Sequence, residues 1–141
     1  MYRRKKGGRY NKTVVEVDNI KFDSKIEAAR YSQLRILEKA GEIKQLELQP
    51  KFIIQQNCKI KLNDKVKTQL MIKYIADFKY IENGKIIVED VKSKYTSSDA
   101  QYKIKRKMLV YQQEQHGFDV FREYIYINKS TQDIKDYARC I

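Results

Sequence analysis

The chain has 141 residues, with 30 Lys and Arg against 18 Asp and Glu, a formal net charge of +12. That length fits one domain around one core, and a hydrophobic fraction of 42% with 11 tyrosines and 5 phenylalanines excludes a purely disordered basic tail. No run of about 18 apolar residues exists, which excludes a membrane-spanning helix. A secretory signal is not expected, because no apolar stretch follows the charged start. A single histidine excludes a multi-histidine metal site. Cys58 and Cys140 stand far apart with no Cys-x-x-Cys, which argues against a disulfide framework or a cysteine zinc site and for a cytoplasmic setting. A charge this far from zero points to a polyanion partner, of which nucleic acid is the commonest.

Residues 1–13 hold six cations (Arg3, Arg4, Lys5, Lys6, Arg9 and Lys12), two glycines and no acid. They read as a basic arm, flexible until bound, either contacting phosphates or serving as a solubilising tail. Residues 14–141 read as one domain. Residues 14–22 suggest a short hairpin turning at Asp18-Asn19. Ser24 to Ala40 is the clearest helix, with Ser24 as N-cap and Gly41 as its stop. Its apolar arc is read as Ile26, Ala29, Gln33, Ile36, Leu37 and Ala40.

Residues 43–54 have strand character, broken or bent at Pro50. Residues 55–70 are polar and Lys-rich, a loop or a ragged hairpin extension. Residues 71–81 and 85–92 are two strands joined by Asn83-Gly84, the strongest short hairpin signal. A polar loop over 93–99 leads to a second helix, 100–116. The buried stripe of that helix is read as Ala100, Ile104, Met108 and Tyr111. A strand over 119–127 follows, and the tail from Ser130 onward reads as a short helix.

A two-residue turn at Asn83-Gly84 sets Asp77 opposite Asp90, with Lys92 on the same face as Asp90 and Glu89 on the other, beside Phe78. Like charges directly opposite destabilise a hairpin, and more so on a partly covered face. A divalent cation between them would remove that cost, and oxygen-only ligation suits Mg²⁺ or Mn²⁺. The alternatives are solvated strand aspartates, an Asp90–Lys92 ion pair, or a one-residue slip that parts the two acids.

The pattern Asp77, then Glu89-Asp90-Val91-Lys92, resembles the motif of the PD-(D/E)XK nuclease superfamily. The order of elements resembles the restriction-endonuclease-like αβββαβ core, an α/β fold with a mixed central sheet flanked by helices. Within that superfamily the chain resembles a small phage and prophage nuclease family, through Phe22-Asp23-Ser24-Lys25-Ile26-Glu27-Ala28, Gln49-Pro50-Lys51-Phe52, Ala76-Asp77-Phe78 and Glu89-Asp90-Val91-Lys92. The resemblance implies that Asp77 and Asp90 are metal ligands, that the Val91 carbonyl joins them, that Lys92 is the catalytic lysine, and that Glu27 stands beside the metal. Two points stay open. Ala76 replaces the motif's proline, and Glu89 could stand in for Asp90 under a shifted register. Glu27 also fits a capping box with Ser24.

Lys94 begins the loop after Lys92, and Lys103, Lys105, Arg106 and Lys107 crowd the second helix, where they could flank a phosphate path or form a solvated face. His116 reads as a helix C-terminal residue without a catalytic role.

The expected function is a Mg²⁺-dependent DNA endonuclease acting on structure rather than sequence. A Holliday junction cut by a homodimer, in phage DNA recombination inside a bacterial host cytoplasm, is the leading form. A general duplex or single-strand nuclease in repair or packaging, and a non-catalytic basic DNA-binding module, are the rivals.

Overall fold

A computed structural model of the chain describes residues 14–140. The basic arm expected over 1–13 lies outside the described residues. Three hairpins turn on residue pairs that both take positive φ: Asp18-Asn19, Asn63-Asp64 and Asn83-Gly84. These are the residue types that tolerate such backbone, and the resulting turn matches the right-handed twist of the strands it joins.

The first hairpin, β1 (Val15–Val17) and β2 (Ile20–Phe22), leads into helix α1 (Lys25–Lys39). The Ser24 Oγ accepts the Glu27 N–H at 3.2 Å, and Gly41 leaves the helix at φ +80°. The buried face is not the arc read from the sequence. Ala28, Arg30, Tyr31 and Leu34 are buried, while Ile36 is 67% exposed. The apolar count alone missed this because Arg30 turns inward to a carboxylate that neutralises it.

Strand β3 (Ile43–Leu48) ends at Gln49-Pro50, and β4 (Lys51–Gln55) begins a separate ribbon. The polar stretch after it forms a regular hairpin, β5 (Cys58–Leu62) and β6 (Lys65–Gln69). The strand read as 71–81 is divided at Ala76-Asp77 into β7 (Ile72–Ile75), which pairs with β4, and β8 (Phe78–Glu82), which pairs with β3 and with β9 (Lys85–Ser93). A 3-10 turn, Thr96–Ser98, precedes α2 (Ala100–Tyr111) and the short α3 (Gln113–His116), so the second helix is broken near Gln112. The chain ends in β10 (Val120–Asn128) and β11 (Thr131–Tyr137).

The tail is therefore a strand, not the expected helix. Its residues are mostly exposed, as an edge strand's are, and they carry no apolar alternation strong enough to announce it. The expected stripe of α2 is also displaced. Tyr102 and Leu109 are buried, whereas Ile104 and Tyr111 are 59% and 66% exposed and Ala100 is exposed too.

The main sheet has five strands in the order β11-β10-β9-β8-β3, antiparallel except for the parallel step from β9 to β10. The fold is thus mixed α/β, with few helices and one multi-strand sheet. Strand β9 is central and buried on both faces from Ile87 to Val91, apart from the half-buried Ile86 before it. Ile87 and Val91 join Tyr31, Leu34, Phe78 and Tyr80 in a core under α1. Val88 joins Tyr102, Leu109, Phe121 and the β4–β7 ribbon residues Phe52 and Tyr74 in a second core on the opposite face. Side-chain alternation along β9 thereby sends Glu89 and Asp90 in opposite directions.

Candidate metal and nucleic-acid site

The hairpin ladder keeps the register set by the Asn83-Gly84 turn, from Lys85↔Glu82 to Glu89↔Phe78. The next step would pair Asp90 with Asp77, and there the regular ladder stops. The two side chains carry the pairing on. The Asp77 N–H donates to Asp90 Oδ1 at 2.9 Å, and the Val91 N–H donates to Asp77 Oδ2 at 2.8 Å. Asp77 N–H also reaches the Glu89 carbonyl at 3.1 Å, and the Asp77 carbonyl accepts the Gln49 N–H at 3.0 Å. Gln49 makes that bond from a backbone held at φ +52°.

Tyr74 donates its hydroxyl to Asp90 Oδ2. Asp90 is 3% exposed, and Asp77 is half-buried. Burial pushes the Asp77 carboxyl well above the ordinary carboxylate range, and the charges of Asp90 and Glu27 push it further, against the Val91 N–H and Lys92. Burial likewise raises Asp90, with Lys92 and the Tyr74 and Asp77 hydrogen bonds opposing it. Glu27 is raised by burial and by Asp23, and its carboxyl lies within hydrogen-bonding reach of Asp77. The Ser24 half of a capping box is formed, but among the described residues no return bond runs from the Glu27 carboxyl to the Ser24 N–H. The carboxyl turns to Asp77 instead.

Among the described residues, no group of three or more His, Cys, Asp and Glu side chains closes around a common point as a metal cluster. The acids meet through two contacts that share Asp77. Their chemistry fits a hard divalent cation: the donors are all oxygen and desolvated, Asp77 is repelled by both of its acidic neighbours, and among the described residues no guanidinium is paired with them.

Two open clefts meet at Lys92. One, of about 250 Å³, is lined by Lys73, Tyr74, Asp90, Tyr102 and Lys105. The other, of about 460 Å³, is lined by Ser24, Glu27, Asp77, Val91 and Thr96. The Lys92 ammonium sits 4.2 Å from the centroid of the Tyr102 ring, a cation–π contact that holds it beside Asp90. Tyr74 and Tyr102 are neighbours of the site that the sequence does not single out. Nothing local marks them, because their partners are distant in the chain.

Glu89 belongs to a different constellation. Arg30 grips it with two bonds of 2.7 and 2.9 Å, and Tyr80 adds one of 2.6 Å, all on the α1 face. Of the two acids, only Asp90 turns its carboxylate to Asp77; Glu89 meets Asp77 through its backbone carbonyl alone.

The basic residues divide as well. Lys94, Lys103 and Lys107 are exposed, and Lys105 lines the first cleft. Arg106 does not project freely. It bonds Glu123 at 3.3 Å and the Tyr137 hydroxyl at 3.2 Å, and its side chain is 12% exposed. The cause is the buried Glu123 on β10, which needs a cation. Arg3, Arg4, Lys5 and Lys6 lie outside the described residues. His116 packs its ring against Phe52 at 5.5 Å and bonds Gln112, away from the acids. No helix among the described residues is long and apolar enough to cross a membrane.

No curated protein matches the chain. Among solved structures, the one titled "Crystal structure of SSO0001" aligns with a TM-score of 0.44 at 15% identity, over 82% of this chain and 51% of that one. The chain therefore spans about half the length of that relative. The family described as "Protein of unknown function (DUF1064)" matches residues 7–133, nearly the whole sequence, and the chain belongs to that family.

Proposed function

We propose that the protein is a divalent-metal-dependent DNA endonuclease with a restriction-endonuclease-like core of the PD-(D/E)XK kind. The observation that carries the reading is the convergence of Glu27, Asp77 and Asp90, three acids from separate segments, beside Lys92: Asp90 and Glu27 both raise the proton affinity of the buried Asp77, and among the described residues no arginine pairs with the three. The order α1, β3, β8, β9, α2, β10 also agrees with an αβββαβ core, with the β4–β7 excursion inserted between its first two strands.

Glu27, Asp77, Asp90 and the Val91 carbonyl would hold Mg²⁺ or Mn²⁺. The cation supplies a water of lowered pKa and a positive charge for the phosphoryl oxygens. Lys92, held over Tyr102, would position the attacking water and offset charge on the phosphate. Lys94, Lys103, Lys105 and Lys107 bind the backbone around the clefts. Branched DNA is the leading substrate, cut by a homodimer in phage DNA recombination.

The test is a cleavage panel with Mg²⁺ on linear duplex, single strand, flap and four-way junction, with Asp90→Ala and chelator as controls. The expected outcome is Mg²⁺-dependent cutting, strongest on the junction, that falls by at least about 10²-fold in Asp90→Ala while DNA binding is kept or tightened. Equal DNA binding in chelator with no nicking of any substrate would instead identify a non-catalytic binding module.

A further inference from the structure

The ribbon formed by β4 and β7 does not end where it leaves the body. It continues as β5 and β6, whose ten residues are all exposed. The ladder runs from Cys58↔Gln69 to Leu62↔Lys65 and closes at Asn63-Asp64. A hairpin that buries so little is marginal by itself in water, so its contents are better explained by what it touches than by what it packs.

Its charge is one-sided, with Lys59, Lys61, Lys65 and Lys67 against the single acid Asp64. Residues directly opposite share a face, which puts Lys59 and Lys61 on one side and Lys65 and Lys67 on the other. The exposed apolar side chains are divided too: Val66 lies with the first pair of lysines, and Ile60 and Leu62 with the second. A ribbon built to dock on another protein would gather its apolar groups on one side. A ribbon lying between two rows of phosphates needs cations on both.

We propose that this hairpin is an arm that lies in the major groove of duplex DNA beside the cleaved bond, with its lysines on the phosphates of both walls. The major groove, about 12 Å wide, admits a two-stranded ribbon. From Lys65 to Ile75 the chain advances at most about 34 Å at the rise of a strand, close to one turn of duplex. The root of the arm, Lys73 to Ile75, lines the same cleft as Asp90 and Lys92, so the contact falls about one helical turn from the acids.

This inference rests on the nuclease reading, and its test separates the two. The full chain and the variant K59Q/K61Q/K65Q/K67Q are compared in chelator for binding to a labelled duplex, with salt varied between about 50 and 200 mM. The four side chains are exposed, so thermal unfolding should be unchanged. The variant is expected to bind at least about tenfold more weakly, with a log–log salt slope shallower by about 2 to 4. An unchanged slope, with the parent still cutting DNA in Mg²⁺, would overturn the arm and leave the nuclease. A parent that neither binds nor cuts DNA would overturn both. If sedimentation shows that I60S/L62S/V66S dissociates a dimer while DNA affinity holds in both variants, the arm is a contact between copies and the proposal fails.

Discussion

Glu89 and Asp90 are adjacent in sequence, equally buried on the central strand, and opposite in circumstance. Glu89 points toward α1, where a forked guanidinium and a phenol satisfy both its oxygens. Asp90 points the other way, toward the Tyr74 hydroxyl and the Asp77 N–H. Glu123, its neighbour on β10, repeats the first solution with Arg106, Tyr102 and Tyr137. Among the described residues, arginines are given to two buried acids and none to Asp77 or Asp90. A paired acid is held ionised by its partner, whereas an acid left among acids holds its proton more tightly, and on the proposed reading it would yield that proton to a cation from solution.

The sharpest way to break this comparison is to remove each neighbour in turn. Glu89→Ala strands Arg30 in the core and should cost about 3–5 kcal/mol of stability, read from denaturant midpoints, while the folded fraction retains its cutting rate. Asp90→Ala should do the reverse, losing the reaction at a smaller cost in stability. If Glu89→Ala abolishes cutting in protein that is still folded, the division between the two faces is wrong.

A second test uses pH. The Asp77 carboxyl is held above its ordinary range by burial and by its acidic neighbours, so the folded protein binds that proton more tightly than the unfolded chain does. Its contribution to stability is complete below the ordinary carboxylate pKa of about 4 and is lost as pH rises through the raised value. In chelator, the difference in stability between parent and Asp77→Asn should therefore move in the variant's favour as pH climbs from about 4 toward neutrality, and saturating Mg²⁺ should reduce it. A pH-independent difference would mean that Asp77 is not strained by its neighbours. The smallest effect is expected from Ser24→Ala, about 1 kcal/mol from the lost cap, with Glu27 held less firmly toward Asp77. Unfolding and cutting rates together would show whether the cap serves the helix alone.

Much of this arrangement was legible because its signals are local. Asn83-Gly84 demands one kind of turn, and that turn sets the register that brings Asp77 toward Asp90. Ser24 and Gly41 bracket α1 for equally local reasons. Two of the failures involve partners far along the chain. Arg30 looks like a surface residue until Glu89, 59 positions away, is placed beneath it. Arg106 looked available for phosphate until Glu123 claimed it. The last strand escaped because an exposed edge has little apolar pattern to read, although its ladder on β10 runs from Phe121↔Tyr137 to Asn128↔Thr131. The division of one apparent strand at Ala76-Asp77 is the most consequential miss, since the site is built at that break.

The bonds across that break have a further consequence. Where the ladder between β8 and β9 gives out, each aspartate accepts an N–H from the opposite strand, as a backbone carbonyl would. The pair is a splice as well as a site. An amide in place of either carboxylate keeps an oxygen for the splice and discards the charge, whereas alanine discards both. The same two positions thus answer to strand pairing and to chemistry, and the contrast between Asn and Ala at each separates those two demands.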